Sequence, residues 1–320
     1  MNGREEHSLK IQESILKKIE NEPDVIKNFY YSMQSNTERT KQVYVGYVTT
    51  FCKYYDYNIY DLKPQDITRY LEEKVHYRYE GENKIENRES VRSLNLFAIK
   101  RFYDFLVENE MCEKNPTTKI KPPKIREDKE IVYLTPEEIE EVSNNIMDGC
   151  DGWRYRDLSI FLLGCETGLR CSAITEINLD DINFEENYIR VTEKGNVVKE
   201  VYIGNGLKSI LGMWRFDREV LLRKKKVKCD AFFISNRRER ISQRAINSMI
   251  EKYTKSIGKK ITPHKMRSSC AMNLYNKTGD IGLVSEVLGH RDISTTLKYA
   301  RAGKQDKINA SKILDDLYRK

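Results

Sequence analysis

Between Asn115 and Glu130 the chain carries Pro116, Pro122 and Pro123 among Lys119, Lys121, Lys124, Arg126 and Lys129, with no apolar periodicity. Proline removes a backbone donor and favours extended backbone, so this stretch is neither a helix interior nor a core strand. It reads as a basic linker over 115–131. The plain alternative is a long surface loop, and the functional one is a strap lying along phosphates; the residues do not choose between them. Either way it separates two parts of a 320-residue chain, each long enough for its own core.

The first part, 1–114, has helical signals. Leu9 to Ile19 forms a short polar helix, and Asn36 or Thr37 can cap a longer one in which Val43, Tyr47, Phe51 and Tyr54 share a face. Pro64 suits a first helical turn, with Ile67, Tyr70, Leu71 and Val75 as the buried stripe behind it. Arg78 to Arg88 is expected as a charged loop. A helix follows from about Ser90 to Glu108, with Leu94, Phe97, Ala98, Phe102 and Phe105 on its apolar face. Residues 1–22 stay open as an N-terminal extension, and nothing physical in the sequence explains Met1 to Tyr30.

The second part, 132–320, opens on Thr135-Pro136-Glu137-Glu138, a capping box with proline at the first helical position. Helices are expected over Pro136–Met147, Arg156–Cys165, Leu207–Lys225, Ser242–Ser256, Pro263–Asn276, Gly282–Leu288, Ser294–Tyr299 and Asp306–Leu317. Asn187–Thr192 and Val197–Ile203 alternate as strands around Lys194-Gly195-Asn196, a hairpin turn. The fold class is therefore mainly α with a small antiparallel β-sheet, in two domains. Arg223-Lys224-Lys225-Lys226 reads as a solvated helix end whose charges suit the helix dipole.

Charged residues make up 33% of the chain, and the longest apolar runs, such as Leu158–Leu163, are far too short to cross a bilayer. Met1 to Glu20 lacks an apolar signal core, so the expected compartment is the cytoplasm, with no membrane partner. Seven scattered cysteines without zinc-ligand spacing read as reduced thiols. A net charge of +7 is compatible with a polyanionic partner and gives only a small push toward nucleic acid.

Four segments of the second part carry chemistry: Thr167-Gly168-Leu169-Arg170, the hairpin tip with Lys194, His264-Lys265-Met266-Arg267, and Leu288-Gly289-His290 followed by Tyr299. Taken singly, each is ordinary. Arg170 and Lys194 fit solvated surface positions, His264 and Arg267 share one helix face, and His290 follows a glycine that ends a helix. Tyr299 is one of twenty tyrosines, most of which pack.

Together, two arginines, two histidines, a lysine and a tyrosine contain every group needed to cleave a phosphodiester without metal. Attack on phosphorus builds charge on the non-bridging oxygens, which the planar fork of arginine matches. A phenol, with an ordinary pKa of about 10, needs a base or a cationic field to become a nucleophile. Histidine can serve as that base, and a lysine on a hairpin can protonate the leaving oxygen.

The order and spacing of these segments resemble the tyrosine recombinase (phage integrase) family, most closely over Glu286-Val-Leu-Gly-His-Arg-Asp-Ile-Ser-Thr-Thr-Leu-Lys-Tyr299. The matching motifs span Thr167 to Tyr299. The resemblance implies a helical DNA-binding domain and a catalytic domain, 132–320, forming a C-shaped clamp on double-stranded DNA. Arg170 and Arg267 would hold the scissile phosphate, assisted by His264 and His290. Lys194 would protonate the leaving 5′-oxygen, and Tyr299 would form a 3′-phosphotyrosyl link. No metal or other cofactor is implied. A homotetramer on synapsed sites is expected, coupled by a docking helix at 306–318 with Ile308, Ile313, Leu314 and Leu317 as its stripe (the plain alternative is that this helix folds back on its own domain), and an accessory DNA-bending protein can assist. The alternatives are a regulatory or architectural DNA-binding protein of the same descent and a topoisomerase-like activity.

Two positions depart from the family pattern. Ala173 stands where many members carry an acidic residue supporting the arginine, with Glu176 one turn on, and Ser268 stands where histidine is frequent after the second arginine.

Overall fold

The computed structural model describes residues 3–80, 83–86, 89–123, 131–149, 152–192, 198–290 and 292–300, together with 311–312, 314–315 and 317–319 near the C-terminus. The chain divides into two compact units, 1–129 and 130–320.

The first unit is built from α1 (Gly3–Ile19), α2 (Asp24–Ser32), α3 (Glu38–Tyr54), α4 (Pro64–Tyr70) and α5 (Glu89–Glu108). Local chemistry sets the helix starts. Thr37 accepts a hydrogen bond from the Thr40 N–H. Asp66 accepts one from the Lys63 N–H, just ahead of Pro64. Both satisfy amides that a helix start would leave unpaired. Helix α4 runs on into a π-helical turn at Leu71–Val75.

An aromatic cluster forms the core. Phe51 meets Tyr70 edge-on at 5.0 Å and Phe29 meets Phe102 at 5.1 Å, the arrangement that ring quadrupoles favour. Ile15 and Ile19 of α1 are buried in the same cluster. The N-terminal helix, which the sequence left unexplained, is thus part of this core.

Two expectations are corrected here. The segment expected as a charged loop contains an antiparallel hairpin, β1 (Tyr77–Glu80) paired with β2 (Asn83–Glu86). Tyr77 and Tyr79 do alternate with Arg78 and Glu80, but over only four residues in a charged stretch, too short a run to announce a strand. On α5, Leu94 and Phe97 are exposed, while Leu96, Ile99, Tyr103 and Leu106 are buried beside Ala98, Phe102 and Phe105. The helix packs against both α2 and α3 and against the π-helical turn, so its buried sector is wider than one stripe and rotated from the expected face.

The second unit contains α6 (Pro136–Met147), α7 (Arg154–Thr167), α8 (Cys171–Glu176), α9 (Asn205–Lys225), α10 (Gln243–Tyr253), α11 (Pro263–Thr278), α12 (Ile281–Leu288) and α13 (Ser294–Leu297), then a 3-10 turn at Lys298–Ala300. A sheet of three antiparallel strands, β3 (Ile182–Asn183), β4 (Tyr188–Thr192) and β5 (Val198–Tyr202), pairs Tyr188 with Tyr202 and Ile182 with Ile189. The sequence reading missed β3, which is two residues long and below any detectable alternation. The hairpin turn with Lys194 lies outside the described residues.

Helix α7 is buried on nearly all sides, as a central helix is, with Arg156 and Asp157 paired where it enters the core; it packs against α6, α9 and α11. Trp214 of α9 is buried and donates its indole N–H to the Phe232 carbonyl at 3.0 Å. Thr135 and Glu138 form the expected capping box. At the C-terminus, helical backbone appears at 311–312, 314–315 and 317–318. Leu314 and Leu317 of the expected stripe are exposed, and Ile308 and Ile313 lie outside the described residues. No helix among the described residues is long and apolar enough to cross a membrane.

Ser269, fully buried on α11, ties the entry of this unit to its centre. Its hydroxyl accepts the Leu134 N–H at 2.8 Å and donates to the Lys265 carbonyl at 2.8 Å. Ser269→Ala leaves a buried amide unpaired, which costs about 1–3 kcal/mol. The expected outcome is a lower midpoint for the second unit in urea unfolding, with the first unit's transition unchanged.

Candidate active site

The site begins where α7 stops. Gly168 takes a left-handed conformation, φ +64°, that glycine adopts without a Cβ penalty. It also packs tightly, since a Cβ there would lie 2.5 Å from Leu288 Cδ2. The turn reverses the chain, buries Leu169, and delivers Arg170 as the N-cap residue of α8 with an exposed side chain.

Arg267, on α11, is 4% exposed. Its guanidinium donates to the Gly168 carbonyl at 2.5 Å and to the Leu288 carbonyl at 2.6 Å. Both carbonyls lie at helix C-termini, where backbone acceptors lack intrahelical donors and the dipole end is negative. One side chain thus joins the Thr-Gly-Leu-Arg turn to the Leu-Gly-His turn.

His264 lies one turn before Arg267. Its imidazole is held below the ordinary value, first by desolvation and then by the positive charges of Lys298, Lys265, Arg267 and Arg170. The two sequence-predicted arginines and this histidine therefore share one electrostatic neighbourhood, and His264 favours its neutral form.

Helix α12 ends on Gly289, again left-handed. The His290 N–H then bonds the Ser285 carbonyl, and its Nδ1 lies 2.7 Å from the hydroxyl of buried Thr296. This contact fixes the ring between α12 and α13. Tyr299 is 2% exposed and packs with Cys270, Ala271, Val284 and Leu288 from α11 and α12. The tyrosine is held within the unit that carries Arg267 and His290.

The departures also have places. Ala173 is buried in the main core, Glu176 is half-buried at the end of α8, and the Ser268 hydroxyl donates to the His264 carbonyl at 3.2 Å. Sequence reasoning missed Lys298, whose ammonium lies 4.9 Å from the Tyr299 ring centroid. It is one of 56 basic residues and carries no signal of its own. Glu166 was missed too; desolvation pushes its carboxyl up, and its carbonyl accepts from the Cys270 thiol.

Residues 133–306 match the model of the phage integrase family. Tyrosine recombinase XerC of Caldanaerobacter subterraneus subsp. tengcongensis is 32% identical over 224 residues, covering 68% of this chain and 60% of that protein. XerC of Haemophilus influenzae (strain PittEE) is 30% identical over 264 residues, covering 81% of this chain and 87% of the relative. Among solved structures, the XerH site-specific recombinase bound to a palindromic difH substrate, a post-cleavage complex, aligns with a TM-score of 0.71 at 19% identity, over 91% of this chain and 84% of that one. A lambda integrase dimer bound to a core site aligns with a TM-score of 0.65 at 16% identity, over 88% and 97%. At these identities the structural likeness speaks for the fold, and the family rests on the matched sequence. The chain belongs to the phage integrase family.

Proposed function

We propose that this protein carries out site-specific recombination of double-stranded DNA by conservative strand exchange, with Tyr299 as the nucleophile. The observation that carries the reading is the Arg267 guanidinium, whose bonds to the Gly168 and Leu288 carbonyls draw the first-arginine turn and the histidine turn to one helix. In the cleavage step Tyr299 Oη bonds to phosphorus and the P–O5′ bond breaks. The phenol proton passes to neutral His264, and Lys194 protonates the departing 5′-oxygen. Arg170 and Arg267 carry the charge that builds on the non-bridging oxygens. His290, oriented by Thr296, donates to the same phosphate.

The 3′-phosphotyrosyl ester keeps the energy of the broken bond. A 5′-hydroxyl from a second strand can therefore attack it and rejoin the DNA without a nucleotide cofactor. The helical domain 1–114 grips DNA, the linker 115–131 follows the backbone, and 132–320 cleaves. Four protomers act on two sites, joined through the helix at 306–318, in the cytoplasm, with an accessory DNA-bending protein where synapsis needs one.

The test is covalent capture. Wild-type protein incubated with fragmented genomic DNA from its host and quenched in detergent should yield a protein–DNA adduct, and sequencing the attached fragments identifies the site. Tyr299→Phe should yield none. Equal adduct from both would remove Tyr299 from the mechanism, and relaxation of plasmid without that site would favour the topoisomerase reading.

The pH dependence follows from His264. Its folded value lies below the ordinary imidazole value of about 6.5. The neutral acceptor therefore persists at pH 7 and is lost only as pH falls through that depressed value. Single-turnover cleavage should be flat near neutrality and decline on acidification below pH ~6.5. In His264→Asn the rate should be lower throughout, without that acid limb.

A further inference from the structure

We propose that Lys298 is a positioning residue for the cleavage step, acting through Tyr299 by a cation–ring contact that strengthens as negative charge develops on the nucleophile. The proposal rests on the reading of Tyr299 as nucleophile and adds a group that the motif-derived set does not contain.

The geometry is unusual for an exposed lysine. Neighbouring side chains in a helical turn do not face each other, and Lys298 could extend into solvent. Its ammonium instead turns back over the next residue, 4.9 Å from the Tyr299 ring centroid, well within the range of a cation–ring attraction. The backbone supports that placement. Lys298–Ala300 is a 3-10 turn that follows α13 directly and packs on α11. The ring is seated among Cys270, Ala271, Val284 and Leu288. A second observation sets the same charge near His264: after desolvation, Lys298 is the largest influence disfavouring the protonated imidazole, ahead of Lys265, Arg267 and Arg170. One lysine head therefore acts on both the phenol ring and the imidazole that receives its proton.

A cation on a neutral phenol ring meets only the ring quadrupole. As the proton leaves, negative charge spreads from Oη into the ring and the attraction grows, so the contact stabilises the transition state more than the resting enzyme. The same charge keeps His264 neutral and ready to accept the proton. The other charges acting on His264 among the described residues are Lys265 and Arg267 on α11 and Arg170 ahead of α8. Arg267 is committed to the Gly168 and Leu288 carbonyls, whereas Lys298 contacts the ring itself. Contact from an exposed lysine leaves the packing of Tyr299 independent of it, so removal of the charge should spare the fold.

The test uses full-length protein and a nicked duplex carrying the site identified by adduct sequencing. Lys298→Met should slow single-turnover cleavage at saturating DNA about three- to fivefold, a loss on the scale of one exposed cation–ring contact of about 1 kcal/mol or less. The DNA concentration giving half-maximal rate should stay within about twofold. Lys298→Arg, which keeps the charge, should recover most of the rate. An unchanged rate in Lys298→Met, with Tyr299→Phe still inactive, overturns this inference and leaves the nucleophile assignment standing. A loss expressed through weaker DNA binding, or one shared equally by Lys298→Arg, overturns it in favour of a phosphate contact or a structural role. Adduct formation by Tyr299→Phe overturns both readings together.

Discussion

Everything at the site depends on a buried guanidinium bonded to two helix ends. Arg267 sits almost wholly out of water, where an uncompensated charge is costly. The Gly168 and Leu288 carbonyls compensate it. Hydrogen bonds to a charged group are each worth about 1.5–3 kcal/mol. The arrangement solves two problems at once. The carbonyls at the ends of α7 and α12 gain donors, and the charge gains partners that hold it beside His264. Glycine is required at one of these ends for a separate reason, because Gly168 must be left-handed and must let Leu288 approach to contact.

The candidate residues sit on the elements that meet at this joint. Helix α11 brings His264 one turn from Arg267, the Gly168 turn brings Arg170, and the Gly289 turn brings His290 against Thr296. Tyr299 enters last, seated on the apolar faces of α11 and α12. The charges of Lys298, Lys265, Arg267 and Arg170 act together on the imidazole. A cluster of positive charge of this kind suits a phosphate, whose own charge would offset it, and it keeps the His264 imidazole in its neutral form.

Much of this is legible in the order of residues along the chain. The capping box at Thr135, the first-turn proline at Pro64 and the glycines after α7 and α12 are local signals, and each marks a real helix boundary. The site motifs are legible through their succession and spacing. What escapes is set by tertiary packing. The paired strands Tyr77–Glu80 and Asn83–Glu86 are four residues each and lie among charged residues, too short a signal to stand out, and the α5 face is misjudged at Leu94 and Phe97 because its neighbours bury a wider sector than one stripe. The partners of Arg267 are backbone carbonyls, which leave no trace in side-chain identity. Lys298 matters through where its ammonium lies, and a lysine's sequence position says little about that.

The most direct measurement of the central joint is amide hydrogen exchange, resolved by peptide, on Arg267→Lys. Lysine keeps the charge but its single ammonium cannot reproduce the fork to both carbonyls. The account predicts that the peptides covering 166–170 and 286–290 lose protection together while those of α3 and α5 in the first unit are unaffected. Unchanged exchange in both turns, or a change confined to one of them, would contradict the claim that this side chain holds the two motifs in one place.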